Sequence, residues 1–165
     1  MTLAREAKEI GLDMLVVDDG WFGDRDDDNS SLGDWYANEK KLGGSLEQLA
    51  VDVNKIGLKF GIWIEPEMIS EKSLLYEKHP DWALRIPGRT PIRGRNQLVL
   101  DFSRPEVVDC IYEQMSKLLG ECRISYVKWD MNRSISDCYS AALPADRQGE
   151  VYHRYILGLY DLYER

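Results

Sequence analysis

The chain has 165 residues, of which 44% are hydrophobic and 10% aromatic, with a formal net charge of -8. Length and composition fit one globular core of ordinary size and exclude a disordered chain. The acidic balance and scattered basic residues exclude nucleic acid or an anionic membrane as the main partner, because both recruit clustered lysine and arginine; sugars and other neutral ligands stay open.

The pattern "TLAREAKEIG" (2–11) predicts a helix with Leu3, Ala7 and Ile10 on one face and Gly11 as its stop. A chain that opens directly on such a helix is expected to begin inside a larger fold. "LDMLVVDDG" (12–20) is a continuous apolar run ending in acid and glycine, as expected of a strand buried on both faces of a parallel sheet, and a long polar loop follows. "SLEQLAVDVNKIG" opens with a capping box, Ser45 with Gln48, carries Leu46, Leu49, Val53 and Ile56 at helical spacing, and closes at Gly57. "LKFGIWIE" is the second strand, "SEKSLLYEKH" a shorter helix stopped by Pro80, and "QLVLDF" a short extended piece. "SRPEVVDCIYEQMSKLLG" repeats the helix grammar, with Ser103 and Glu106 as capping box, Pro105 in the first turn and Gly120 as terminator. "ISYVKWD" is the next strand, and a final helix runs from about Asp146 with Val151, Tyr155, Leu159 and Leu162 along one face.

Strands alternating with helices imply right-handed βαβ units and a parallel sheet. Neither GxGxxG nor GxxxxGK[ST] occurs, so dinucleotide and P-loop readings fail. The three long strands end in "DDG", "WIEPE" and "KWDMN", and a (β/α)8 barrel places its active residues at that carboxyl end. A whole barrel takes about 250 residues, so the expected fold is α/β, a partial (β/α)8 TIM barrel, with residues 1–165 a fragment of one catalytic domain.

Cys110, Cys122 and Cys138 are odd in number and lack CxxC spacing, which argues against a disulfide framework or zinc site and for a reducing compartment. No apolar run is long enough for a membrane span and no secretory signal is visible, so a soluble, cytoplasmic protein is expected.

Alternation puts Lys128 and Asp130 on one face and Trp129 on the other. The ammonium favours an ionised Asp130, suited to a nucleophile or an electrostatic stabiliser; a structural ion pair ending the strand is the alternative. Asp18 and Asp19 can share one site if the strand breaks at Gly20, and two carboxylates beside an indole, Trp21, suit a cluster of sugar hydroxyls. A turn with an Asx cap is the other reading. Asp24, Asp26 and Asp28 suggest calcium, yet Asn29 occupies the place of the required glycine and Trp35 that of the bidentate glutamate, so a solvated acidic loop is expected. His79 and His153 have no partner at ligand spacing, and no metal is expected. Trp63 and Glu65 share a face; Glu65 is either an acid or, preferably, a charge that cross-links strand ends. Arg93 and Arg95 sit in a loop that could fold over the mouth of the barrel.

"DDGWFG", "LGDW", "GIWIEPEM", "LVLDFSRPEV" and "KWDMNR", in this order, resemble the α-galactosidases of glycoside hydrolase family 36, a likeness that covers essentially the whole chain. The resemblance implies retaining hydrolysis of terminal α-galactosides of the melibiose and raffinose type, with no metal or organic cofactor and a homo-oligomeric parent enzyme. It makes Asp130 the nucleophile, Asp18 and Asp19 ligands of galactose hydroxyls, Trp63 an aromatic wall, and Arg95, Lys128 and Asn132 polar contacts in the pocket. The family's acid/base aspartate follows on a later strand, beyond Arg165, so these residues alone are expected to be inactive. A transglycosylase of the raffinose-synthase kind and a non-catalytic galactoside-binding module are the competing readings.

Overall fold

The computed structural model describes residues 1–165. In chain order the elements are α1 (Thr2–Glu9), β1 (Met14–Val17), α2 (Glu39–Leu42), α3 (Leu46–Lys55), β2 (Lys59–Ile64), β3 (Met68–Ile69), α4 (Leu74–Lys78), β4 (Leu98–Val99), α5 (Pro105–Glu121), β5 (Tyr126–Trp129) and α6 (Val151–Glu164), with 3-10 turns at Pro80–Trp82 and Ala145–Glu150.

β1, β2 and β5 form one parallel sheet in the order β1-β2-β5, with Val17 opposite Ile62 and Ile64 opposite Trp129. Strand, helix and parallel strand, twice over, build an arc of a (β/α)8 barrel, and all three strands end on the same side. Central β2 is buried from Phe60 to Ile64. β1 was expected to be buried on both faces but is only half-buried along its length, because it has one strand neighbour and not two. Between β2 and α5 the chain makes an excursion in which β3 and β4 pair antiparallel, Met68 with Val99 and Ile69 with Leu98. No helix is long and apolar enough to cross a membrane.

Helix ends follow local chemistry, with corrections. Ser45 Oγ accepts the Gln48 N–H at 3.1 Å, but the Gln48 amide bonds Asp52 at 2.9 Å instead of reaching back, so α3 carries half of the expected capping box. The expected Ser103–Glu106 box is absent: the Ser103 hydroxyl donates to Asp101, Arg104 is the N-cap residue, and the Glu106 carboxylate takes the Arg104 Nε–H. Gly120 does not terminate α5, which runs on to Glu121. On α1, Leu3 and Ile10 are 74% and 77% exposed and the packed face is Ala4 with Ala7, whose small side chains let the helix lie close to the core.

The segment after β1, expected to be a polar loop, supplies a large part of the core. Trp21, Phe22, Leu32 and Trp35 are all buried, and their aromatic rings pack with Trp63 at centroid separations such as 4.5 Å for Phe22–Trp35 and 6.1 Å for Phe22–Trp63. The buried carboxylate of Asp34 accepts the Leu74 and Leu75 N–H groups at 2.9 and 3.0 Å, pinning this segment to the first turn of α4. Trp21 is therefore a core residue, not the exposed sugar platform suggested by its place beside two aspartates.

α6 lies against the start of α5, where Gly158 meets the Phe102 carbonyl; a Cβ on Gly158 would stand 1.9 Å from that oxygen. Alanine is the better helix former by about 1 kcal/mol, but a forced contact in a packed interface costs about 1–3 kcal/mol. Gly158→Ala should therefore lower the thermal midpoint by several degrees, whereas Gly149→Ala, whose Cβ would meet nothing within 4 Å, should not. Equal midpoints for the two variants in a thermal melt would contradict this packing.

Candidate active site

Beyond Val17 the strand alternation stops and Gly20 turns the chain at φ 97°, so neighbouring Asp18 and Asp19 both face one pocket. Asp18 Oδ2 accepts the Lys128 ammonium at 2.8 Å and Oδ1 accepts the Asp19 N–H at 2.9 Å. The Lys128 hydrogen bond, followed by the Asp19 N–H, holds the Asp18 carboxyl below the usual range. Asp19 is gripped by both arms of Arg25, Nε to Oδ1 at 3.0 Å and Nη2 to Oδ2 at 2.8 Å. Arg25 itself is buried, with Nη1 on the Ser30 carbonyl at 3.0 Å.

Asp130 follows directly on β5, its N–H bonded to Ile64 O at 2.9 Å. Its Oδ2 accepts the Trp63 indole N–H at 2.9 Å and the Asn132 amide at 2.8 Å, while Oδ1 accepts the Met131 N–H at 2.9 Å. Burial alone would raise this carboxyl. The Trp63, Asn132 and Met131 donors outweigh it, with Lys128 adding a smaller Coulombic contribution, and the group sits below the usual aspartate range. Asp130 is thus ionised as expected, but chiefly through hydrogen bonds and only secondarily through the ammonium, which is bonded to Asp18. A carboxylate has about four acceptor positions; three are filled, and the remaining one, on Oδ1, is available for bond formation.

Trp63 is 3% exposed, lines the pocket and donates its indole N–H to Asp130. Glu65 is buried on the same face, and its Oε1 takes the Gln97 amide at 3.0 Å and the Asn132 N–H at 2.6 Å. It joins the end of β2 to the segments around β4 and β5, as the cross-linking alternative required, and burial pushes its pKa up. Arg95 is exposed and lines the same pocket; Arg93 instead pairs with Glu71 at 2.5 Å.

Together Asp18, Asp19, Trp63, Arg95, Asp130 and Asn132 line a cavity of about 140 Å³, with Lys128 reaching its edge through Asp18. Trp63 is the only hydrophobic residue in the lining. Ordinary ligand pockets run to roughly 300–1,000 Å³, so this cavity is small. A wider groove of about 600 Å³ runs between α3 and α5, but its acids, Glu39, Glu47 and Glu121, belong to exposed helix turns and do not converge. Asp26 and Asp28 are exposed, Asp26 pairing with Lys41 at 2.9 Å and Asp28 lying 3.7 Å from Arg25.

Arg25 and Gln97 line the pocket and Glu67 lies behind it, and strand and helix periodicity singles out none of the three. Arg25 is the one basic residue in "GDRDDDN", a signal that those acids need an internal counter-charge. Glu67 is buried and its Oε2 accepts the Trp129 indole N–H at 2.8 Å, behind the strand that carries Lys128 and Asp130. Burial lifts the Glu67 pKa from 4.5 to about 7. Its folded-state value lies above the unfolded one, so the folded state holds the extra proton and stability falls as pH rises from 4.5 through about 7. Glu67→Gln keeps an acceptor for Trp129 but cannot titrate, so its stability should vary less over that window than that of the parent chain. Parallel pH–stability curves from denaturant melts would contradict the assignment.

The Melibiase family profile matches residues 1–165. The chain is 59% identical over 163 residues to the bifunctional α-galactosidase/sucrose kinase AgaSK of Mediterraneibacter gnavus, covering 99% of this chain and 17% of that protein. It is 58% identical over 161 residues to α-galactosidase Mel36A of Lactobacillus acidophilus, covering 98% of this chain and 22% of that one. Among solved structures, it superposes on a variant of the α-galactosidase AgaA of Geobacillus stearothermophilus in complex with raffinose with a TM-score of 0.96 and 54% identity, over 99% of this chain and 23% of that one. The chain thus spans about a fifth of the length of the relatives it matches.

Proposed function

The chain belongs to the Melibiase family, glycoside hydrolase family 36, and on that footing we propose that its pocket is the galactose-binding part of a retaining α-galactosidase site within a single (β/α)8 catalytic domain. The observation that carries this reading is the state of Asp130: an ionised carboxylate at a strand end, with three donors and one free acceptor position, facing a small and almost wholly polar cavity.

In this reading Asp130 attacks the anomeric carbon of a terminal α-galactoside and forms a galactosyl-enzyme ester, which water then hydrolyses with net retention. Depressed basicity suits the task, since the group must be charged when substrate arrives and must later leave as a carboxylate. Asp18 and Asp19 accept hydrogen bonds from sugar hydroxyls; each keeps a cationic partner, Lys128 and Arg25, so the pocket needs no charged ligand for balance. Arg95 and Asn132 contribute further polar contacts, and Trp63 anchors the nucleophile. Proton delivery to the leaving oxygen requires a second carboxyl group. The family resemblance places the acid/base outside residues 1–165, and Glu65, tied to Gln97 and Asn132, serves as a cross-link. Substrates are galactoside oligosaccharides of the raffinose kind, the ligand in the Geobacillus stearothermophilus complex. A cytoplasmic setting agrees with three free cysteines.

The test is a chimera in which residues 1–165 replace the matching segment of the Geobacillus stearothermophilus enzyme. With the native residues it should hydrolyse an aryl α-galactoside. Asp130→Asn should then lower kcat by roughly 10⁴–10⁶-fold, the range seen when a nucleophile is removed, while galactose binding by calorimetry stays within a few-fold. Near-normal turnover in that variant would remove Asp130 from the mechanism.

A further inference from the structure

Arg133 lies three residues after Asp130 and is half-buried, yet it makes no salt bridge. Its guanidinium is spent on uncharged acceptors: Nη1 on the carbonyls of Ile92 at 2.9 Å and Gln97 at 2.5 Å, Nη2 on the Ser136 hydroxyl, and Nε on Ser134 O at 3.2 Å. An arginine taken out of water without a carboxylate partner gains little net stability, but its planar fork fixes the geometry of whatever it holds. Here it holds Gln97, the last residue of one turn, and Ile92, two residues before that turn begins.

That turn carries Arg95. The Gln97 N–H donates to Gly94 O at 3.1 Å, and both central residues have positive φ, Arg95 at 52° and Asn96 at 62°. This is the type I′ pattern, which strongly favours glycine, asparagine or aspartate at the central positions. Asparagine tolerates it; an arginine in the first central position does not choose it unaided, and such strained residues persist only where the surroundings over-determine them. The surroundings are specific. Gly94 lies flat against the Arg133 side chain, where an added Cβ would stand 3.1 Å from Arg133 Cβ and 3.3 Å from its Nε, and Asp137 Oδ2 accepts the Ile92 N–H at 2.7 Å.

We propose that Arg133 is a positioning residue for Arg95: by clamping the carbonyls of Ile92 and Gln97 it holds the strained Gly94–Gln97 turn that directs Arg95 into the pocket. Because the clamp grows from the segment that carries Asp130 and Asn132, nucleophile and arginine contact are fixed to each other as one body. This inference rests on the galactosidase reading and adds the device that sets Arg95.

The experiment uses the same chimera, whose activity with native residues tests the functional reading separately. Arg133→Met should raise KM for an α-galactoside about tenfold with a smaller change in kcat, the sign of lost ground-state binding. In an Arg95→Ala background the same substitution should change KM less than about twofold, because its effect runs through a side chain already removed. Gly94→Ala, whose Cβ would stand 3.1 Å from Arg133 Cβ and press that side chain aside by a few tenths of an ångström without removing its charge, should raise KM by a smaller factor that likewise vanishes in the Arg95→Ala background, and it decides the matter if Arg133→Met does not fold. Equal fold-losses with and without Arg95, or an unchanged KM in folded Gly94→Ala, would overturn the proposal.

Discussion

The hydrogen bond from the Trp63 indole to Asp130 is the contact on which the rest of the site depends. It lowers the basicity of Asp130 and fixes the direction of Oδ2. It works only if the indole cannot move. Trp63 is held by β2, by the Trp21 N–H on its own carbonyl at 2.8 Å, and by packing against Phe22 and Trp35. The long segment after β1 is thus the rigid backing of Asp130, and Asp34, by capping α4, ties that backing to the excursion that brings Arg95 over the pocket.

Charge is arranged to the same end. Asp18 with Lys128 and Asp19 with Arg25 are closed ion pairs whose carboxylates still have free acceptor positions. Lys128 is 44% exposed, so its pair with Asp18 adds little to stability and matters mainly for orientation. Asp18 and Asp19 are thus neutralised by their own partners, while Asp130, Arg95 and the buried Glu65 are lining groups without an ion-pair partner.

What is legible in the sequence follows the period of the strands. Strict alternation sets Trp63 with Glu65, and Lys128 with Asp130, on shared faces, and the polar residues that end β1, β2 and β5 mark where the pocket lies. The burial of Trp21, Phe22, Leu32 and Trp35 is not legible: "DRDDDN" dominates the composition of that stretch, and its aromatic residues follow no helix or strand period. Two-residue strands such as β3 and β4 carry no period either, so the pairing that supports the Arg95 turn leaves no pattern. At the Ser103 position two physical options compete for one hydroxyl, and the nearby Asp101 carboxylate wins over the helix terminus. On α1, larger Leu3 and Ile10 outweigh Ala4 in the pattern, although it is Ala4, with Ala7, that fits against the core.

The central claim, that Asp130 forms the bond to the sugar, is tested most directly by trapping. The chimera would be inactivated with a fluorinated α-galactosyl fluoride, whose intermediate turns over slowly, then digested with trypsin and analysed by mass spectrometry. The account predicts one galactosyl adduct, on the peptide Trp129–Arg133, at Asp130. An adduct on a peptide carrying Asp18, Asp19 or Glu65, with Trp129–Arg133 unmodified, would contradict it.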